Sequence, residues 1–163
     1  MILLAIDPGN AHSAYVLLDG ERVLAFGKIS NEELLAKLRS TQHGDGPFWC
    51  ADHLAVEMIA SYGMPVGREV FETCLWIGRF LEAWSDAHTL VYRQQVKLEI
   101  CKSPRANDAT IRAALIDRYG GKEAAIGRKA APGPLYGVSG DVWSALAVAI
   151  TWKELRRESE RAA

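Results

Sequence analysis

The feature that most constrains the fold is an apolar run, Ile-Leu-Leu-Ala-Ile at positions 2–6, that ends at Asp7-Pro8-Gly9. The run is short for a helix and too uniformly apolar for a strand with one wet face. It predicts a central strand covered on both sides, with Asp7 at its carboxyl end and a turn beyond. Such a strand needs partners on both edges and layers above and below, and the following segments can supply them. Residues 14–18 and 22–29 flank Asp19-Gly20, a strong hairpin signal. Asn31 is placed to cap a helix through Leu34, Leu35 and Leu38, which the polar stretch 40–47 ends. Residues 53–59 form a further strand, apolar except for Glu57.

Beyond Gly63-Met64-Pro65-Val66-Gly67, read as a mobile loop, the spacing predicts a helix over 69–84 with Val70, Cys74, Ile77, Leu81 and Trp84 on one face. A second stripe, Phe71, Leu75 and Phe80, widens the apolar arc beyond what one sheet covers and points to a subunit contact. A fifth strand follows at 89–94, and Asn107 caps a helix to Tyr119 that Gly120-Gly121 closes. The stretch 121–140, rich in Gly, Pro and Lys/Arg, reads as a flexible basic loop facing nucleic acid. A last helix runs from Asp141 to about Arg157, and residues 158–163 fray. This order is an α/β architecture with a mixed five-stranded sheet, strands 1–3 antiparallel and the rest alternating with helices that flank it. At 163 residues, 1–163 is expected to be one domain.

Composition narrows the class. With 49% hydrophobic residues and no apolar run near the ~20 that a membrane span requires, a soluble protein with no membrane partner is expected. The N-terminal run lacks a charged segment before it, so it reads as a strand rather than a secretion signal. Cys50, Cys74 and Cys101 include no C-x-x-C pair, which argues against a disulfide framework or zinc site and fits the cytoplasm. His12, His43, His53 and His88 show no metal spacing. The net charge of −1 hides a split: residues 1–92 hold 6 Lys+Arg against 12 Asp+Glu, and residues 93–163 hold 13 against 8. The second half therefore carries the candidate phosphate contacts, foremost Lys102, Arg105, Arg128 and Lys129.

Three acids stand where a core would not choose them. Asp7 ends the first strand, Glu57 interrupts the fourth, and Asp141 opens the last helix on the stripe of Ala145, Val148 and Trp152, which aims its carboxylate at the sheet. If these strands are neighbours the carboxylates converge. Converging carboxylates repel unless a cation lies between them, and hard divalent ions prefer such oxygen ligands.

Ile6-Asp7-Pro8-Gly9 with Ala14-Tyr15, then Ala55-Val56-Glu57, then the run Asp141-Val142-Trp143-Ser144-Ala145-Leu146-Ala147-Val148-Ala149-Ile150 resemble, in order and spacing, the RuvC-type Holliday-junction resolvases of the ribonuclease H-like superfamily. The resemblance implies a ribonuclease H-like fold and a homodimer that cuts four-way DNA junctions. It also implies two Mg²⁺ or Mn²⁺ ions held by Asp7, Glu57 and Asp141, and products with 5′-phosphate and 3′-hydroxyl ends. A branch-migration helicase partner stays an open expectation. The sequence departs from the pattern at Ser144, where the family places a further Asp; Ser144, through a water, or Asp108 is the candidate for that position. An aromatic wedge expected three residues after the Glu is Ala60 here, leaving Tyr62 or Met64 as substitutes at the DNA. Rival readings are a ribonuclease H-like enzyme on flaps, other branched DNA or RNA–DNA hybrids, and a junction-binding protein with weak catalysis. An actin-like ATPase needs two such domains and a second phosphate loop, for which the chain is too short.

Overall fold

The computed structural model describes residues 1–41, 48, 50–61 and 63–163. Strands β1 (Ile2–Asp7), β2 (His12–Asp19) and β3 (Arg22–Ser30) form an antiparallel meander, followed by α1 (Asn31–Thr41). Then come β4 (His53–Met58), α2 (Arg68–Ala83), β5 (His88–Tyr92), α3 (Arg93–Cys101) and α4 (Asp108–Arg118). A short α5 (Lys122–Ala125), a two-stranded ribbon of β6 (Gly127–Arg128) and β7 (Ala131–Pro132), and the long α6 (Val142–Ala162) complete the chain. The sheet order is β3-β2-β1-β4-β5, with β4 parallel to both β1 and β5. β1 thus lies at the centre, as its unbroken apolar run requires.

Alternate residues of the strands face opposite layers. Leu3, Ala5, Val16, Ala55 and Val91 pack with α6 and with Ile111 and Leu115 of α4; Leu4, Ile6, Leu17, Leu54 and Val56 pack with α1 and α2. Helix α6 is buried almost all round over its first ten residues, and its alanines 145, 147 and 149 let the backbone lie close to the sheet. Asp7 has the parity of Leu3 and Ala5, Glu57 that of Ala55, and Lys28 pairs in register with Ala14, itself paired with Asp7. All three therefore lie on the α6 face.

The structure corrects several sequence expectations. The fifth strand ends at Tyr92, and Arg93 opens α3, a helix the sequence reading omitted because its apolar positions are sparse. The expected loop over 121–140 contains α5 and the ribbon and buries Ala125, Leu135 and Val138. Phe80 belongs to the buried face of α2, whereas Phe71 and Leu75 are exposed with Met64. Asn31 does not cap α1: the Ser30 hydroxyl accepts from the Glu33 N–H, and Asn31 is fully buried. Asn107 caps α4 as expected, accepting from the Thr110 N–H in a reciprocal capping box. The polar stretch at 42–47 and Tyr62 lie outside the described residues.

Candidate active site

β1 and β4 end side by side, and that adjacency builds the site. Their register runs to Ile6 opposite Val56, so Asp7 and Glu57 are the next residues on each strand. The two side chains share a hydrogen bond, and burial together with the neighbouring Glu57 carboxylate pushes the Asp7 carboxyl up to about 8. The charge of Asp141 raises it further and Arg93 partly offsets this. Glu57, with its side chain 12% exposed, is also shifted upward by burial, against the pull of Arg93.

The turn that follows Asp7 is fixed from beneath. The Asn31 amide donates to the Gly9 carbonyl at 2.8 Å, the Ser13 hydroxyl donates to Asn31 Oδ1 at 2.6 Å, and the Gly9 N–H donates to Ser13 Oγ at 3.3 Å. Asn31 N–H in turn donates to the Ala11 carbonyl. Gly9 is required here, because a Cβ would lie 2.4 Å from the His12 carbonyl oxygen. This network pins the backbone of the turn at Gly9, two residues after Asp7.

The third predicted acid sits differently from expectation. Asp141 precedes α6 rather than riding its inner stripe, is half-exposed, and turns its carboxylate to Lys28, with Nζ 2.5 Å from Oδ2. With Arg93 and Ser144 it lines a cleft that adjoins the one over Asp7 and Glu57. Ser144, the third residue of α6, lines the cleft over Asp7 and Glu57 and also a second cleft bounded by Asp108 and Asp141. Asp108 is exposed and ion-paired with Arg93, so it borders the site without joining the carboxylate pair.

Arg93, which in the sequence is only one of the 13 basic residues of the second half, places a guanidinium nitrogen 3.6 Å from Glu57 while pairing with Asp108. The available signal was its position directly after the strand that neighbours Glu57. Lys28 was missed for want of any local sign. The four nominated DNA contacts lie elsewhere. Lys102 and Arg105 occupy the α3–α4 connection, with Lys102 in a left-handed conformation ending α3 and reaching Glu99. Arg128 and Lys129 occupy the exposed ribbon after α4, Arg128 beside Glu123.

Oxygen donors from two adjacent strand ends, a hydroxyl, and a third carboxylate held by a lysine are the chemistry of a hard-cation site. Among the described residues no three acidic or imidazole groups gather tightly enough to enclose an ion as the side chains stand. The donors fit such an ion if Asp141 exchanges Lys28 for it.

Comparison with solved structures agrees with the topology. The chain matches the structure of Thermus thermophilus RuvC with a TM-score of 0.70 at 18% identity, over 98% of this chain and 97% of that one. It matches T. thermophilus RuvC in complex with Holliday junction substrate with a TM-score of 0.72, again at 18% identity, over 98% and 96%. No family model matches the chain, and no curated protein matches it by sequence. The sheet order, the mixed strand directions and the flanking helices define a ribonuclease H-like fold. Within that class the fold is the RuvC-like form, matched over nearly the full chain. No helix among the described residues is long and apolar enough to cross a membrane.

Proposed function

We propose that this protein is a structure-selective endonuclease that resolves four-way DNA junctions by divalent-metal-dependent phosphodiester hydrolysis, leaving 5′-phosphate and 3′-hydroxyl ends. The observation that carries the reading is the contact of Asp7 with Glu57 at adjacent strand ends, which burial and mutual repulsion make costly without a cation. Natural proteins keep such strain where it serves chemistry. The matched T. thermophilus protein was solved with a Holliday junction, and the shared fold supports the same substrate class here.

Asp7 takes the central position, Glu57 and Asp141 flank it, and Ser144 fills the place where a further carboxylate is expected. Two Mg²⁺ or Mn²⁺ ions bound there would help activate water, neutralise the phosphoryl oxygens and support the departing oxygen in an in-line displacement. The protein's own part is positioning. The Asn31 network fixes the turn after Asp7, and Arg93 turns a positive charge towards the cleft while orienting Glu57. Lys102, Arg105, Arg128 and Lys129 guide the arms of the junction by their phosphates. The chain acts in the cytoplasm as one domain per subunit of a homodimer, joined through the exposed face of α2 at Phe71 and Leu75.

The test is cleavage of an end-labelled four-way junction in Mg²⁺ or Mn²⁺. Symmetric nicks by the wild type and none by Asp7→Asn are expected; equal cleavage by both removes the scheme. The second reading, a junction-binding protein with weak catalysis, is favoured by Ser144 and by the open arrangement of Asp141. Binding without nicks at every Mg²⁺ concentration would establish it. Competition with flap and RNA–DNA hybrid substrates separates the resolvase from its nearer relatives.

A further inference from the structure

The guanidinium of Arg93 is divided between two acids. Its Nη1 lies 3.6 Å from Glu57 Oε1, and its Nη2 is ion-paired with Asp108 Oδ1. The two acids differ in their surroundings: the Glu57 side chain is 12% exposed and that of Asp108 83%. Each end of the Arg93–Asp108 bridge opens a helix whose start is fixed by a cap. Arg93 begins α3, where the Gln95 side chain accepts from the Tyr92 N–H at 2.8 Å. Asp108 begins α4, where Asn107 accepts from the Thr110 N–H at 3.0 Å. Arg93 lines the cleft over Asp7 and Glu57, and Asp108 lines the adjoining one. A guanidinium so placed has two opposed effects on a cation site. Its charge favours the ionised form of Glu57 against burial, the form that a metal ion needs. The same charge repels that ion, and more strongly in a partly buried place than in water. Asp108 can separate the two effects, because it takes up the far side of the guanidinium and offsets its charge from solvent, where its own carboxylate loses little hydration.

We infer that Asp108 is a positioning residue that acts through Arg93: it draws the guanidinium partly off Glu57, offsets its charge, and so sets the affinity of the Asp7–Glu57 site for a divalent cation. The inference rests on the metal site of the nuclease reading and deepens it. Asp108 then serves the ions without being one of their ligands.

The experiment is a double-mutant cycle read by calorimetric titration of the metal-free protein with Mn²⁺. Asp108→Asn, which keeps the shape and removes the charge, should weaken Mn²⁺ binding about threefold, the scale of one exposed ion pair. In an Arg93→Gln background the same substitution should leave the affinity unchanged. Asp108→Glu, which restores a carboxylate for Arg93, should bind Mn²⁺ as the wild type does. If Asp108 served only as an acid at the start of α4, its replacement would lower Tm in both backgrounds and leave Mn²⁺ affinity alone; that result overturns the inference. Equal weakening in both backgrounds overturns it too, since Asp108 would then act on the ion directly. A wild type that takes up no Mn²⁺, or an Asp7→Asn variant that takes it up equally well, removes the metal site and this role with it. A protein that binds Mn²⁺ but never cuts a junction removes only the nuclease reading, and the cycle still decides how Asp108 acts.

Discussion

Lys28 Nζ lies 2.5 Å from Asp141 Oδ2, joining β3 to the start of α6 across 113 residues of chain. Both side chains are about half exposed, so the pair contributes at most about 1 kcal/mol. That small figure matters for function. An ion entering the site has only a weak internal competitor for Asp141. Lys28→Met should therefore tighten Mn²⁺ binding, but by no more than about fivefold, as read by calorimetry. A weaker affinity in the variant would mean that Lys28 orients Asp141 rather than occupying it.

The burial of Asp7 beside Glu57 has a consequence for stability. The Asp7 carboxyl moves from 3.8 to about 8 on folding, so the native state holds its proton more tightly than the unfolded chain does. That contribution is complete below about pH 4 and is lost as pH rises towards 8. In the metal-free protein, Asp7→Asn should accordingly raise Tm relative to the wild type by an amount that grows between pH 4 and 8. Added Mn²⁺ should raise the wild-type Tm and leave the variant nearly unmoved. A pH-independent difference between the two would show that the carboxylates do not interact.

Much of this was legible in the sequence, for identifiable reasons. The run at 2–6 admits only a central strand, and Glu57 stands out because Ala55 and Val56 are fully buried beside it. What escaped were features set by contacts between distant segments. Arg93 reads as one basic residue among many until β5 is seen to end one residue before it. Asp141 has the helical spacing of an inward group, but it lies before the first turn, where Lys28 can reach it. Helix α3 is short and only Val96 is buried on it, so its pattern carries little periodic signal.

Ser144 faces both clefts, and a carboxylate there would complete the donor set. Ser144→Asp should lower the Mg²⁺ concentration for half-maximal junction cleavage and, by adding a like charge, reduce metal-free Tm at pH 8. If neither quantity changes, the position does not look at the ions.

Asn31 carries more than its size suggests. Removing its side chain strands the Ser13 hydroxyl and the Gly9 carbonyl in a buried place. Asn31→Ala should cost about 2–4 kcal/mol in denaturant unfolding and lower cleavage by loosening the turn after Asp7. A loss below about 0.5 kcal/mol would indicate that water takes over its role.

On α2, Leu75 is 70% exposed and Phe71 61%, one helical turn apart. Leu75→Glu should leave the stability of the subunit unchanged to within about 0.5 kcal/mol and, on the proposed homodimer, abolish association in sedimentation. An unchanged dimer would move the subunit contact to another face.

The parallel ladder of β1 on β4 behaves as a ruler for the chemistry. Because the gap between the two acids is counted in rungs of backbone pairing, apolar exchanges within either strand leave it intact. Inserting or deleting a single residue upstream in β1 or β4 would instead turn one acid to the opposite layer, among Ile6 and Val56. Length inside these strands is thus far less negotiable than identity.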